Sequence, residues 1–138
     1  MKEIICTGIG ILGGCITTLF GGWDTGLVTL IIFMTIDYIS GLAVAGIFHN
    51  SKKSKTGTLE SKAGFKGLCR KCMILFFVLI AYRLDLIIHS NYIRDSVIIG
   101  FIANESISII ENAGLMGIPL PEVITRAVDV LKNKKDLK

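Results

Sequence analysis

Residues 25–48 form a run of 24 with a single charged side chain, Asp37, near its middle. As a helix rising about 1.5 Å per residue, such a run crosses the roughly 30 Å hydrocarbon core of a bilayer. A carboxylate amid lipid-length apolar sequence is costly unless it meets protein, water or a proton. This segment alone therefore favours folds in which helices shelter a polar group within a membrane. The rest of the chain keeps the pattern. Residues 4–23 carry no charge, 72–82 are apolar and reach spanning length by continuing through Arg83 and Asp85 to Ile88, and 97–118 are apolar except for a few polar positions. Hydrophobic residues make up 51% of the 138, more than a soluble domain of this size can hide. The expected fold is an all-α integral membrane protein, one membrane domain over 1–138 with about four transmembrane helices at 4–23, 25–48, 72–88 and 97–118; three spans are the alternative. Pro119 and Pro121 stop the last span, and a short amphipathic helix over about 121–132 is expected in the tail, 119–138.

The charges are bunched between these runs. Residues 49–71 hold Lys52, Lys53, Lys55, Lys62, Lys66, Arg70 and Lys71 against one acid, Glu60, and the tail holds five basic residues against three acidic ones. The turns near Asp24 and over 89–96 have no net positive charge. Four spans with both termini in the cytoplasm put all the basic stretches on one side, as the positive-inside tendency requires. Apolar runs flank the basic loop directly, so it reads as a membrane-surface element and not as a nucleic-acid site. It either sits on anionic headgroups or is simply solvated, and Thr56–Gly57–Thr58 is expected to lend it flexibility. The first run is longer than a secretory h-region and lacks a small-x-small cleavage site, so it reads as a retained span.

An enzyme is not expected. His49 and His89 fall at opposite membrane faces in this topology, and no triad, phosphate loop or metal-ligand spacing is present. Cys69 and Cys72 have a C-x-x-C spacing with no second pair to complete a metal site. No cofactor or metal is expected.

The polar groups within the apolar runs carry the functional information. Gly10 and Gly14 form a G-x-x-x-G pair that suits close helix approach, or merely a glycine-rich span. In the fourth run, nine large apolar residues favour insertion by about 4 kcal/mol in all, whereas two ionised Glu near a helix centre cost up to about 3 kcal/mol each. The run is marginal alone. At about 100° per residue, Asn104, Glu105, Ser108, Glu111 and Asn112 share an arc of about 120°, a single polar stripe. Such a stripe lines a pore, hides in a helix contact or floats at a surface. Asp37 lies 12 residues before His49 and Arg83 lies 12 after Lys71. Both therefore sit about 18 Å from the inner boundary. Arg83 is expected to pair with Asp37 or Glu105, within one chain or between chains, or else to snorkel outward with Asp85.

Asp37–Tyr38–Ile39–Ser40–Gly41 resembles a D-x-x-x-G motif, and 61–71 resembles a Ser…Gly…basic-basic loop leading into the next helix, with Gly67 and Lys71 in it. Residues 104–112, followed by Gly117, Pro119 and Pro121, resemble an N-E-x-x-S-x-x-E-N…G-x-P-x-P block. Together these resemble the toxin-secretion/phage-lysis holins of Gram-positive phages and clostridia, over most of the chain from about 24 to 131. The resemblance implies a protein of the bacterial inner membrane that forms homo-oligomers and opens large, unselective holes. An endolysin or a large toxin then crosses, without a required direct contact. It implies no catalytic residues. It marks Asp37, Gly41, Gly67, Lys71, Asn104, Glu105, Ser108, Glu111 and Asn112 as important; Cys69 and Cys72 are not part of it. The residues alone also allow a small ion channel or transporter subunit using the intramembrane Asp, Glu and Arg, or a membrane anchor for partners.

Overall fold

The computed structural model describes residues 1–136 and contains five helices: α1 (Lys2–Leu19), α2 (Thr25–Gly46), α3 (Ser61–Ile88), α4 (Ile93–Leu115) and α5 (Glu122–Asp136). Each boundary has a local cause. α1 ends where Gly21 and Gly22 take positive φ. A Cβ at Gly21 would lie 2.5 Å from the Tyr82 ring, so the turn admits only glycine there. Asp24 caps α2, its carboxylate accepting the Leu27 N–H at 2.9 Å. α3 stops at His89, which is left-handed with φ 55°. α4 runs out before Gly117, whose φ is 80°, and the two prolines keep the helix from resuming until Glu122.

α2 and α4 lie side by side and parallel. Gly26 faces Ile98 at one end and Ser40 bonds Asn112 at the other, pairs with the same offset of 72 residues. α3 runs antiparallel to both and packs mainly on α4, its Val78 near one end of the bundle and its Gly64 and Gly67 against Tyr38 near the other. The buried apolar centre is small: Leu27, Leu30 and Met34 from α2, Val78 from α3 and Ile98 from α4. α1 buries none of its residues.

Beside this apolar centre the bundle encloses charged groups and turns many large apolar side chains outward, unlike a water-soluble bundle. Asp37, Asp85, Arg94, Glu105 and Asn112 are buried, whereas Ile4, Ile9, Ile39, Phe76, Ile87 and Ile99 are exposed. α1 and α2 are each long and apolar enough to cross a membrane. The expected count of about four spans is not met on that measure, because α3 and α4 carry charges along their length. Several of those charges, on Lys71, Asp85, Arg94 and Glu105, turn into the bundle and not toward its outside.

Two expectations about the 49–71 stretch change. Helix α3 begins at Ser61, so Lys62, Lys66, Arg70 and Lys71 ride on its first turns instead of in a loop. The remaining loop, expected to be flexible at Thr56–Gly57–Thr58, folds as an internally hydrogen-bonded turn. Ser51 N–H donates to Gly57 O at 3.0 Å and Ser54 Oγ to Thr58 O at 2.8 Å, while the Glu60 carboxylate accepts from Thr56 N and Oγ1. The tail helix forms as expected and extends to Asp136, with a surface ion pair between Arg126 and Glu122.

Candidate functional site

Midway along α2, Asp37 turns inward because the helix presents its other faces, rich in Ile, to the outside. Lys71 of α3 and Glu105 of α4 stand at the same level. The Lys71 ammonium donates to Asp37 Oδ2 and to Glu105 Oε2, at 2.6 Å each. Asn112, two helical turns beyond Glu105, extends the network. Its Nδ2 donates to Asp37 Oδ1 at 3.1 Å, to Asp37 O at 3.2 Å and to Ser40 Oγ at 2.8 Å. One cation thus bridges two carboxylates, and an amide ties the same aspartate to the neighbouring helix. Among the described residues no buried side-chain nitrogen or oxygen lacks a partner, which is what makes such a cluster tolerable in low dielectric.

The sequence placed most of these groups but chose the wrong cation. Arg83 is exposed on α3 and has no polar partner among the described residues. The reason is register. With α3 starting at Ser61, Lys71 is ten residues into its helix and Asp37 is nine residues from the end of its own. Both lie about 14–15 Å from the same end of the bundle. Arg83 lies more than three turns farther on. The outward alternative fails for Asp85, which is buried and does not accompany Arg83.

The polar stripe of α4 divides. Glu105 and Asn112 point inward, Ser108 is half-buried, and Asn104 and Glu111 are exposed. Gly41 faces the cluster, with room for a Cβ 3.8 Å from Asn112 Nδ2. Gly10 and Gly14 face nothing within 4 Å among the described residues. Lys52, Lys55, Lys62 and Lys66 are exposed, as are Cys69 and Cys72.

A second polar cluster, at the opposite end, was not anticipated. Arg94 is buried and donates to the carbonyls of Phe20 at 2.5 Å and Gly22 at 3.1 Å, and to Asp24 Oδ2 at 2.7 Å. Asp85 accepts from Ser90 Oγ, from Ile93 N at 3.0 Å and from Arg94 N at 2.8 Å, capping α4. The α1–α2 and α3–α4 turns are thereby clasped together. The Arg94 guanidinium bonded to Asp24 holds that carboxyl below the usual carboxylate range. The available signal was topological: antiparallel hairpins place both short turns at one end.

Chemically, neither cluster has the nucleophile–base geometry of a catalytic centre. Both are ion-pair networks that fix helices against one another. The sequence pattern of the bacteriophage holin family matches residues 14–133. An uncharacterized protein of Listeria monocytogenes is 40% identical over 97% of this chain and 91% of its own length. An uncharacterized protein of Clostridium perfringens is 35% identical over 98% of this chain and 97% of its own. Another of Bacillus subtilis is 29% identical over 83% of this chain and 81% of its own. No solved structure matches.

Proposed function

The chain belongs to the bacteriophage holin family, and from that membership we propose that it oligomerises in a bacterial cytoplasmic membrane and opens large, unselective holes there. Through these an endolysin, or a large toxin, crosses. In this reading α1 to α4 all span, the 47–60 loop and the tail face the cytoplasm, and α5 lies along the membrane surface. The observation that carries it is a bundle that encloses Asp37, Lys71, Glu105 and Asn112 and turns isoleucines and phenylalanines outward. Helices with that distribution suit lipid around them.

A chain of this size cannot enclose a wide pore by itself. The α4 stripe already shows two aspects, Glu105 and Asn112 inside and Asn104 and Glu111 outside. In the resting arrangement the inner aspect is satisfied within each chain. In the open arrangement many copies turn the stripe toward water. An ion relay is less well supported, because the apolar centre of Leu27, Leu30, Met34, Val78 and Ile98 separates the Lys71 cluster from the Arg94 cluster.

Inducible expression in a bacterium tests the proposal. Growth should stop abruptly, and cytoplasmic protein should be released only when a wall-degrading enzyme is co-expressed. Glu105→Leu leaves the Lys71–Asp37 pair intact and should give an inserted protein that does not lyse. Lysis of that variant on the normal schedule refutes the two-arrangement mechanism, and small-ion leakage without enzyme release refutes the holin role.

A further inference from the structure

α2 and α3 each pack mainly on α4 and barely touch one another. At the end that carries the 47–60 loop they leave a cleft of about 390 Å³. It is open because the facing positions are small, Gly41 and Ala45 on α2, and Ala63, Gly64 and Gly67 on α3. Tyr38 bridges the gap, its hydroxyl donating to Gly64 O at 3.3 Å. The floor is the Lys71 cluster with its two carboxylates. Leu42, Ile74 and Phe101 supply an apolar wall.

The exposed rim is different. Lys53 from the loop and Arg70 from α3 both line the cleft, and neither side chain has an ion-pair partner among the described residues. The third charge at the rim, Glu60, is turned onto Thr56 N and Oγ1. The floor thus carries two acids for one cation, and the rim two cations for one acid. The charges of the lining balance as a whole, but its two exposed cations stand together beside an apolar wall, while the acids of the floor are held by Lys71.

We propose that this cleft binds one anionic phospholipid, its phosphodiester between Lys53 and Arg70 and the upper part of its chains against Leu42, Ile74 and Phe101. A phosphodiester can accept from Lys53 and Arg70 together, and the wall gives the chains a place that free phosphate cannot use. The assignment rests on the membrane placement proposed above.

The full chain, reconstituted in phosphatidylcholine vesicles and checked for insertion by resistance to alkaline extraction, is tested with trace spin-labelled phosphatidylglycerol or phosphatidylcholine. Wild type should hold the phosphatidylglycerol label in preference. Lys53→Gln with Arg70→Gln should lose at least about fivefold of that preference, the attraction of one basic residue near an anionic surface. Lys62→Gln with Lys66→Gln removes the same charge from exposed positions outside the cleft and should leave the preference nearly unchanged. Equal losses in the two double variants overturn the site in favour of diffuse attraction. Displacement of the label by millimolar inorganic phosphate overturns the lipid as its occupant. Insertion without any preference overturns the site alone, whereas failure to insert overturns the membrane reading and the site with it.

Discussion

The two polar clusters use similar chemistry at two depths. Around Lys71, one ammonium and two carboxylates from three helices are enclosed, with side-chain exposures of 13%, 6% and 5%. Around Arg94 the guanidinium is as buried, at 6%, but its carboxylate partner Asp24 is 50% exposed. Removing one partner of an enclosed ion pair strands the other in low dielectric, whereas water can replace a partner at an exposed site. The first cluster therefore decides whether α2, α3 and α4 can stay together. The second decides how firmly two turns are held.

The sharpest way to break this comparison is Lys71→Met, which leaves Asp37 and Glu105 facing one another without a cation. It should destabilise the folded chain by about 3–5 kcal/mol, read as a fall in detergent-solubilised melting temperature or in membrane accumulation. Arg94→Leu should cost less. It frees the carbonyls of Phe20 and Gly22 at a turn that water reaches, and about 1–3 kcal/mol is expected, by the same melting measurement. A loss equal to that of Lys71→Met would erase the distinction between the clusters. Asp85→Ala removes the cap of α4 and should cost about 0.5–2 kcal/mol, with faster hydrogen exchange confined to the amides of Ile93 and Arg94.

The smallest effect concerns pH. Asp24 has a depressed carboxyl pKa in the folded chain, so its contribution is complete above the unfolded value and disappears as pH falls through the folded one. For a half-exposed pair it should be at most about 1 kcal/mol. Melting temperatures of wild type and Asp24→Asn should therefore differ at neutral pH and converge in acid below the ordinary carboxylate range. A difference that persists there would assign the effect to something other than the Arg94 ion pair.

Much of this arrangement was legible from residue order. The all-helical class, the start of α2 after Asp24, the end of α4 before its prolines and the polar face of α4 all follow from periodicity and breakers. The start of α3 was not, because Gly64 and Gly67 and the density of lysines made 61–71 resemble a loop. The four-residue spacing of Lys62, Lys66 and Arg70 was the overlooked helical signal. That error displaced the helix register and favoured Arg83 over Lys71. The division of the α4 stripe was also beyond reach. Glu105 with Asn112 and Asn104 with Glu111 are both pairs seven residues apart. Each pair forms its own ridge, and only the position of α2 decides which ridge turns inward.

α1 contributes no buried residue and is joined to the rest by a short turn pinned by Arg94. Whatever neighbour this helix acquires, it acquires without dismantling any packing inside α2 to α4. Under the assembly proposed above, its encounters with other copies follow mass action in two dimensions. In that reading, protein density in the bilayer is itself the variable on which assembly depends.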